Sequence, residues 1–136
     1  MGMDVYGRDP SKRLKGDTDK LVGEYFRNNM WWWTPLWEYC LSLYGDKMPP
    51  MEHCCDHEDG DPDIYDVFEA EDGFMNCGYG LDRTESEELG TILFLEIQFG
   101  NTQKLFDEIK GEFPFSVENV QEFSDFLMNC GGFNIY

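Results

Sequence analysis

The chain has 136 residues, 41% hydrophobic and 16% aromatic, enough for one core and too few for two, so a single acidic globular domain over residues 1–136 is expected. Ten bases face 28 acids, and the resulting net charge of −18 argues against direct binding of nucleic acid, nucleotides or anionic membrane surfaces. The longest aliphatic or aromatic run is four residues, Ile92 to Leu95, and Met1-Gly2-Met3-Asp4 lacks the basic start and apolar stretch of an export signal; the expectation is no membrane span and a cytoplasmic location.

In chain order, Met3 to Tyr6 between two glycines reads as a short strand, and the polar stretch Asp9 to Lys20 as a surface loop. Thr34 can cap a helix whose first residue is Pro35, where the missing N–H costs nothing, with Gly45 ending it in the left-handed conformation. Within it Leu36, Cys40 and Leu43 form one apolar stripe, and Trp37, Leu41 and Tyr44 the next. Pro49-Pro50 breaks the chain before an acidic loop segment at about 51–80, anchored by Ile64, Tyr65, Val67 and Phe68 and closed by Gly78-Tyr79-Gly80.

Thr84 with Glu87 makes a capping box for a helix to about Phe99, against a competing strand reading in which Leu95, Ile97 and Phe99 alternate with polar residues. Thr102 to Lys110 continues as a short helix. Ser116 caps a last helix that runs to Cys130, Phe115 stapling onto Val120, before Gly131-Gly132 stops it and Phe133 to Tyr136 forms a terminal strand. The expected fold is α+β, with three to four helices packed on a small antiparallel sheet that includes both chain termini.

Charge is unevenly spread. Residues 1–50 hold seven bases and seven acids, whereas residues 51–136 hold three bases and 21 acids, which is the whole net charge. No base lies between Lys47 and Arg83, and ten of the 21 positions from Glu52 to Asp72 are acids. Such a run is either a solvated loop that keeps the protein soluble or a surface that captures basic partners. On the second reading Asp56, Glu58, Asp59, Asp61, Asp63 and Asp66 form the partner-binding set.

Five cysteines without an export signal suit free thiols in a reducing compartment. His53-Cys54-Cys55-Asp56-His57 crowds four metal-ligand types into five residues, but zinc sites prefer ligand pairs separated by two or more residues, and no C-x-x-C occurs. Asp59, Asp61 and Asp63 start like a calcium loop, yet Ile64 stands where its turn glycine belongs and Ala70 where its bidentate Glu belongs. Neither metal nor cofactor is expected. The histidines sit among carboxylates that favour their charged form, and the same acids oppose a Cys54 or Cys55 thiolate, so no catalytic residue is assigned and a non-enzyme is expected.

The least ordinary stretch is Gly23-Glu24-Tyr25-Phe26-Arg27-Asn28-Asn29-Met30-Trp31-Trp32-Trp33, continuing to Pro35-Leu36-Trp37. Together with Gly2-Met3-Asp4-Val5-Tyr6-Gly7 and Phe113-Pro114-Phe115-Ser116-Val117-Glu118-Asn119-Val120 through Gly131-Gly132-Phe133, it resembles a family of small uncharacterised proteins from bacteriophages and bacteria. Asn76-Cys77-Gly78-Tyr79-Gly80-Leu81 is a weaker fourth block. The resemblance covers about half the chain and implies no activity; phage origin would put the protein in the host cytoplasm.

Two readings of function stand side by side. In one, the protein is a non-enzymatic acidic interaction protein, a phage-encoded inhibitor that presents a nucleic-acid-like anionic face to a basic host defence protein such as a nucleic-acid-handling enzyme. In the other, Tyr25, Arg27, Asn28, Asn29, Trp31, Trp32, Trp33 and Trp37 build an aromatic pocket for a small molecule or substrate, Arg27 lying at least partly buried beside two or more of the Trp31 to Trp37 rings. The same rings can instead be core. A plain structural or immunity-type protein is a third possibility, and the sequence leaves the oligomeric state open.

Overall fold

The computed structural model describes residues 2–54, 65–75 and 78–136. Strand β1 (Gly2–Gly7) lies between β2 (Tyr25–Asn29) and β5 (Phe133–Ile135) in an antiparallel sheet of order β2-β1-β5, so the two ends of the chain meet in one sheet. Val5 stands opposite both Phe26 and Ile135, and all three side chains are buried, as are Met3 and Phe133. Alternation turns Asp4 and Tyr6 to the other face. Asp4 and Tyr136 exchange backbone hydrogen bonds of 2.9 and 2.6 Å. The far edge of β5 is covered too: Gly78 N–H donates to the Ile135 carbonyl, Ile135 N–H to Tyr79 and Phe133 N–H to Leu81. At Gly80 the two backbones approach so closely that a Cβ would overlap the Phe133 carbonyl.

Four helices pack with this sheet: α1 (Met30–Tyr44), α2 (Arg83–Gln98), α3 (Asn101–Ile109) and α4 (Val117–Asn129). The expected α+β class with both termini in a small antiparallel sheet is the observed one. Its details differ in instructive ways. Strand β2 is an addition, and α1 starts a turn earlier than Thr34 and Pro35 suggest, capped by Asn29, whose side chain accepts from Trp32 N–H at 3.1 Å. Thr34 lies inside the helix and donates its hydroxyl to the Met30 carbonyl at 2.9 Å, while Pro35, also interior, has no N–H to give the Trp31 carbonyl. Gly45 is right-handed rather than left-handed and passes the chain into a short 3-10 turn, Gly45–Lys47.

The first cap of α2 is likewise upstream of the expected Thr84. Asp82 accepts from Glu85 N–H and Glu85 accepts from Asp82 N–H, at 2.8 and 2.9 Å. The helix overrides the strand alternative for Thr91 to Phe99. For α4 the cap is the expected one, Ser116 accepting from Asn119 N–H at 3.0 Å, and Gly131 and Gly132 follow the helix with φ of 66° and 98°. The segment expected to be a loop at 51–80 holds structure of its own: β3 (Met51–Cys54) pairs antiparallel with β4 (Tyr65–Phe68), and a 3-10 turn spans Ala70–Phe74. Of the proposed anchors, Ile64 lies outside the described residues, and Tyr65, Val67 and Phe68 are strand residues of β4.

One cluster of buried side chains joins the sheet to α1, α2 and α4. Trp33 stacks on Trp37 at 5.4 Å, Phe123 meets Trp33 edge-on, and Phe133 meets Trp37 the same way. Helices α2 and α4 cross closely because Gly90 has no side chain: a Cβ there would sit 3.0–3.1 Å from Met128 and Leu127. Ser124 closes that contact by donating to the Gly90 carbonyl at 2.7 Å.

Candidate functional site

The residues of the aromatic block divide among three environments. Trp33 and Trp37 are core, and their indole N–H groups donate to the Gly73 and Ala70 carbonyls at 2.7 and 2.9 Å, clamping the 3-10 turn onto α1. Tyr25 and Arg27 lie on the outer face of β2 and converge on Asp4 of β1, Tyr25 through its hydroxyl and Arg27 through an ion pair of 3.7 Å. The Asp4 hydrogen bond is the main cause that raises the Tyr25 pKa. Asn28 and Asn119 exchange two amide hydrogen bonds of 3.0 and 2.9 Å, which tie β2 to the first turn of α4, and Asn29 is spent as the α1 cap. Trp31 stands on the surface and Trp32 is half-buried.

Arg27 is therefore paired with Asp4 on the outer face, not packed beside the Trp31 to Trp37 rings as the sequence suggested. Its side chain is 60% exposed. The cause is strand alternation: Phe26 takes the inward position of β2, so its neighbours Tyr25 and Arg27 face out. The eight residues do not line a common cavity.

Of the acidic set, Asp56, Glu58, Asp59, Asp61 and Asp63 lie outside the described residues, and Asp66 is in β4 opposite His53. Asp82, Glu85 and Glu88, which sequence reasoning passed over, join Glu71 and Asp72 of the acidic run on the folded body. Tyr79 is buried, donates its hydroxyl to the Pro49 carbonyl at 3.0 Å, and has its pKa raised by burial and then by Glu85, Glu71 and Asp72. Tyr44 donates to Glu88, and its pKa is raised by burial, by that hydrogen bond, and by the charges of Glu88, Glu85 and Asp82. Burial and then the Asp82 charge also push the Glu85 carboxyl up, while the capping hydrogen bond and Arg8 oppose the shift. Five carboxylates thus act on two tyrosines next to where the chain leaves for the acidic hairpin. The neighbouring cations are few: Lys47 shares a shallow depression with Glu87 and Glu88, and Arg83 pairs with Asp9. The signal for this face was present as Asp82-x-x-Glu85-x-x-Glu88 at helical spacing.

Cys40 and Cys130 are buried free thiols whose pKa burial pushes up, the reverse of an activated nucleophile. Among the described residues no group of three or more His, Cys, Asp or Glu side chains could hold a metal ion; Cys55, Asp56 and His57 of the crowded ligand run lie outside them. Nor, among them, is any helix long and apolar enough to cross a membrane. No family model, curated protein or solved structure matches the chain.

Proposed function

We propose that this protein is a non-enzymatic interaction protein whose anionic face binds a basic protein surface, the best-matched class being the phosphate-binding surface of a nucleic-acid-handling enzyme. If the resemblance to phage proteins holds, the target is a host defence protein. The observation that carries the reading is the segregation of charge: a run of ten acids without a lysine or arginine, ending in Glu71 and Asp72, is joined on the folded body by Asp82, Glu85 and Glu88. Gathering like charges costs free energy, and after burial the Asp82 charge adds to the upward shift of Glu85; a loop needed only for solubility can mix signs, whereas a surface built to meet Lys and Arg clusters gains from excluding them. Fixed carboxylates exploit the same Lys and Arg clusters that release counterions from DNA.

The test is retention of basic proteins on the immobilised chain at low and at high salt, followed by binding kinetics with whichever is retained. Association should slow steeply as salt rises, and changing four of Asp56, Glu58, Asp59, Asp61, Asp63 and Asp66 to amides should weaken binding while leaving the fold intact. A folded amide variant that binds as well as the parent would overturn the reading.

A further inference from the structure

The outward face of α1 carries an aromatic groove none of whose lining residues belongs to the acidic face. Trp31, Pro35, Glu38, Tyr39 and Ser42 recur at helical spacing along it, and the opposite wall is Phe113 to Phe115 with Ile109 from α3. Two adjoining depressions of about 340 and 270 Å³ share Pro35, Glu38 and Phe113 as their divide. Trp31 is 76% exposed and Phe113 44%. The wall is preformed: Tyr39 is held by a 2.9 Å hydrogen bond to Thr102 and meets Phe115 edge-on at 5.7 Å. Unlike Trp33 and Trp37, Trp31 has no indole N–H partner among the described residues. Glu38 is the one charged side chain lining either depression among those residues.

We propose that this groove docks an extended, proline-bearing peptide segment of a partner protein, with an arginine or lysine of that segment on Glu38. Charge selects the occupant. A second copy of the chain brings another −18, whereas a basic segment is drawn by the whole field and finds a single carboxylate between the two depressions. Shape agrees: the eleven helical steps of α1 from Trp31 to Ser42 rise roughly 16 Å, the span of about five residues of polyproline II helix. That conformation leaves its carbonyls unbonded, so one can accept from the Trp31 indole, and it is the form in which aromatic grooves recognise proline-rich segments.

The probe is an array of blocked peptides with proline at two positions three apart, arginine or glutamine at either end and the other positions randomised, beside scrambled peptides of equal charge without proline. Peptides with both proline and arginine should be enriched. Trp31→Ala and Phe113→Ala, each checked for an unchanged melting temperature, should lose about tenfold or more in affinity, as exposed ring anchors do. Glu38→Gln should cost about threefold for the arginine peptide and nothing for its glutamine counterpart, an effect absent from Glu122→Gln, which lines a separate depression beside Lys15 and Tyr25. Raised salt should weaken the arginine peptides, leave their glutamine counterparts little changed and preserve the Trp31 difference. Equal binding of the scrambled peptides, retention of affinity by folded Trp31→Ala, or a dimer in the peptide-free protein that Trp31→Ala dissolves would each overturn the proposal.

Discussion

Trp33 and Trp37 on the inner face of α1 and Trp31 on its outer face belong to one short segment, yet their surroundings have nothing in common. The inner pair is fully buried, stacked ring on ring, and each indole N–H reaches a backbone carbonyl of the Ala70–Phe74 turn. Trp31, two positions before Trp33, projects into solvent beside Phe113. At 3.6 residues per turn a two-residue step crosses most of the helix circumference, so identical side chains fall on the core and on a docking surface. Aromatic content alone does not separate ligand-facing rings from structural ones; the helix phase does, and that phase depends on where the helix starts.

The contrast is sharpest in stability. Trp37→Ala should cost about 3–5 kcal/mol in urea unfolding, since it empties the centre of the core and orphans the Ala70 carbonyl. Gly73→Ala should cost about 1–3 kcal/mol without touching a tryptophan, because its Cβ would overlap the Trp37 ring. If either variant unfolds like the parent, the clamp between α1 and the 3-10 turn is not part of the stabilising core.

Buried tyrosines give a pH test of the inner face. Tyr44 and Tyr79 have folded-state pKa values above their unfolded value of about 10, so their contribution is fully present below that pH and lost as pH rises beyond it. Unfolding free energy should decline from about pH 10 upward, and less so in Tyr79→Phe, which should itself cost about 1 kcal/mol at neutral pH for the hydrogen bond to Pro49. A parent and a variant with the same alkaline profile would remove Tyr79 from the account.

The start of α1 can be tested directly. Asn29→Ala should cost about 1 kcal/mol as loss of a cap, and Thr34→Ala only a few tenths, the hydroxyl there bonding back within the helix. The reverse order would restore Thr34 as the cap and shift the helix start by a turn. The smallest effects belong outside: Trp31→Ala and Arg27→Ala should each stay within about 0.5 kcal/mol, against roughly 3 kcal/mol for a charge buried among rings. A large loss in Arg27→Ala would revive the buried-arginine reading.

Much of the fold was legible because its signals are local. Ser116, Phe115 and Val120 mark the start of α4 within six residues, and glycines bracket β1. The start of α1 was ambiguous because Asn29 and Thr34 are both competent caps, and Pro35 is more comfortable at a first position than at the sixth it occupies. Strand β2 hid behind Arg27-Asn28-Asn29, polar residues whose roles come from partners distant in sequence: Asp4 for Arg27 and Asn119 for Asn28. The acidic run was plain in composition. Its extension onto Asp82, Glu85 and Glu88 was not, because only the packing of Tyr44 and Tyr79 brings those carboxylates together with Glu71 and Asp72.

Pairing of β1 with β5 also bears on how the protein is made. As the chain is made, β1 finds β2 within some twenty residues but must wait for Phe133 to Ile135 to satisfy its other side. Until then β1 offers an open edge, the kind that templates strand addition between chains. Closing the sheet last over so long a separation is slow. The acids accumulate in that same interval, since 21 of the 28 are added after residue 50. Mutual repulsion between nascent chains therefore grows while the edge is still open, and the net negative charge guards the protein against its own copies before it has finished folding.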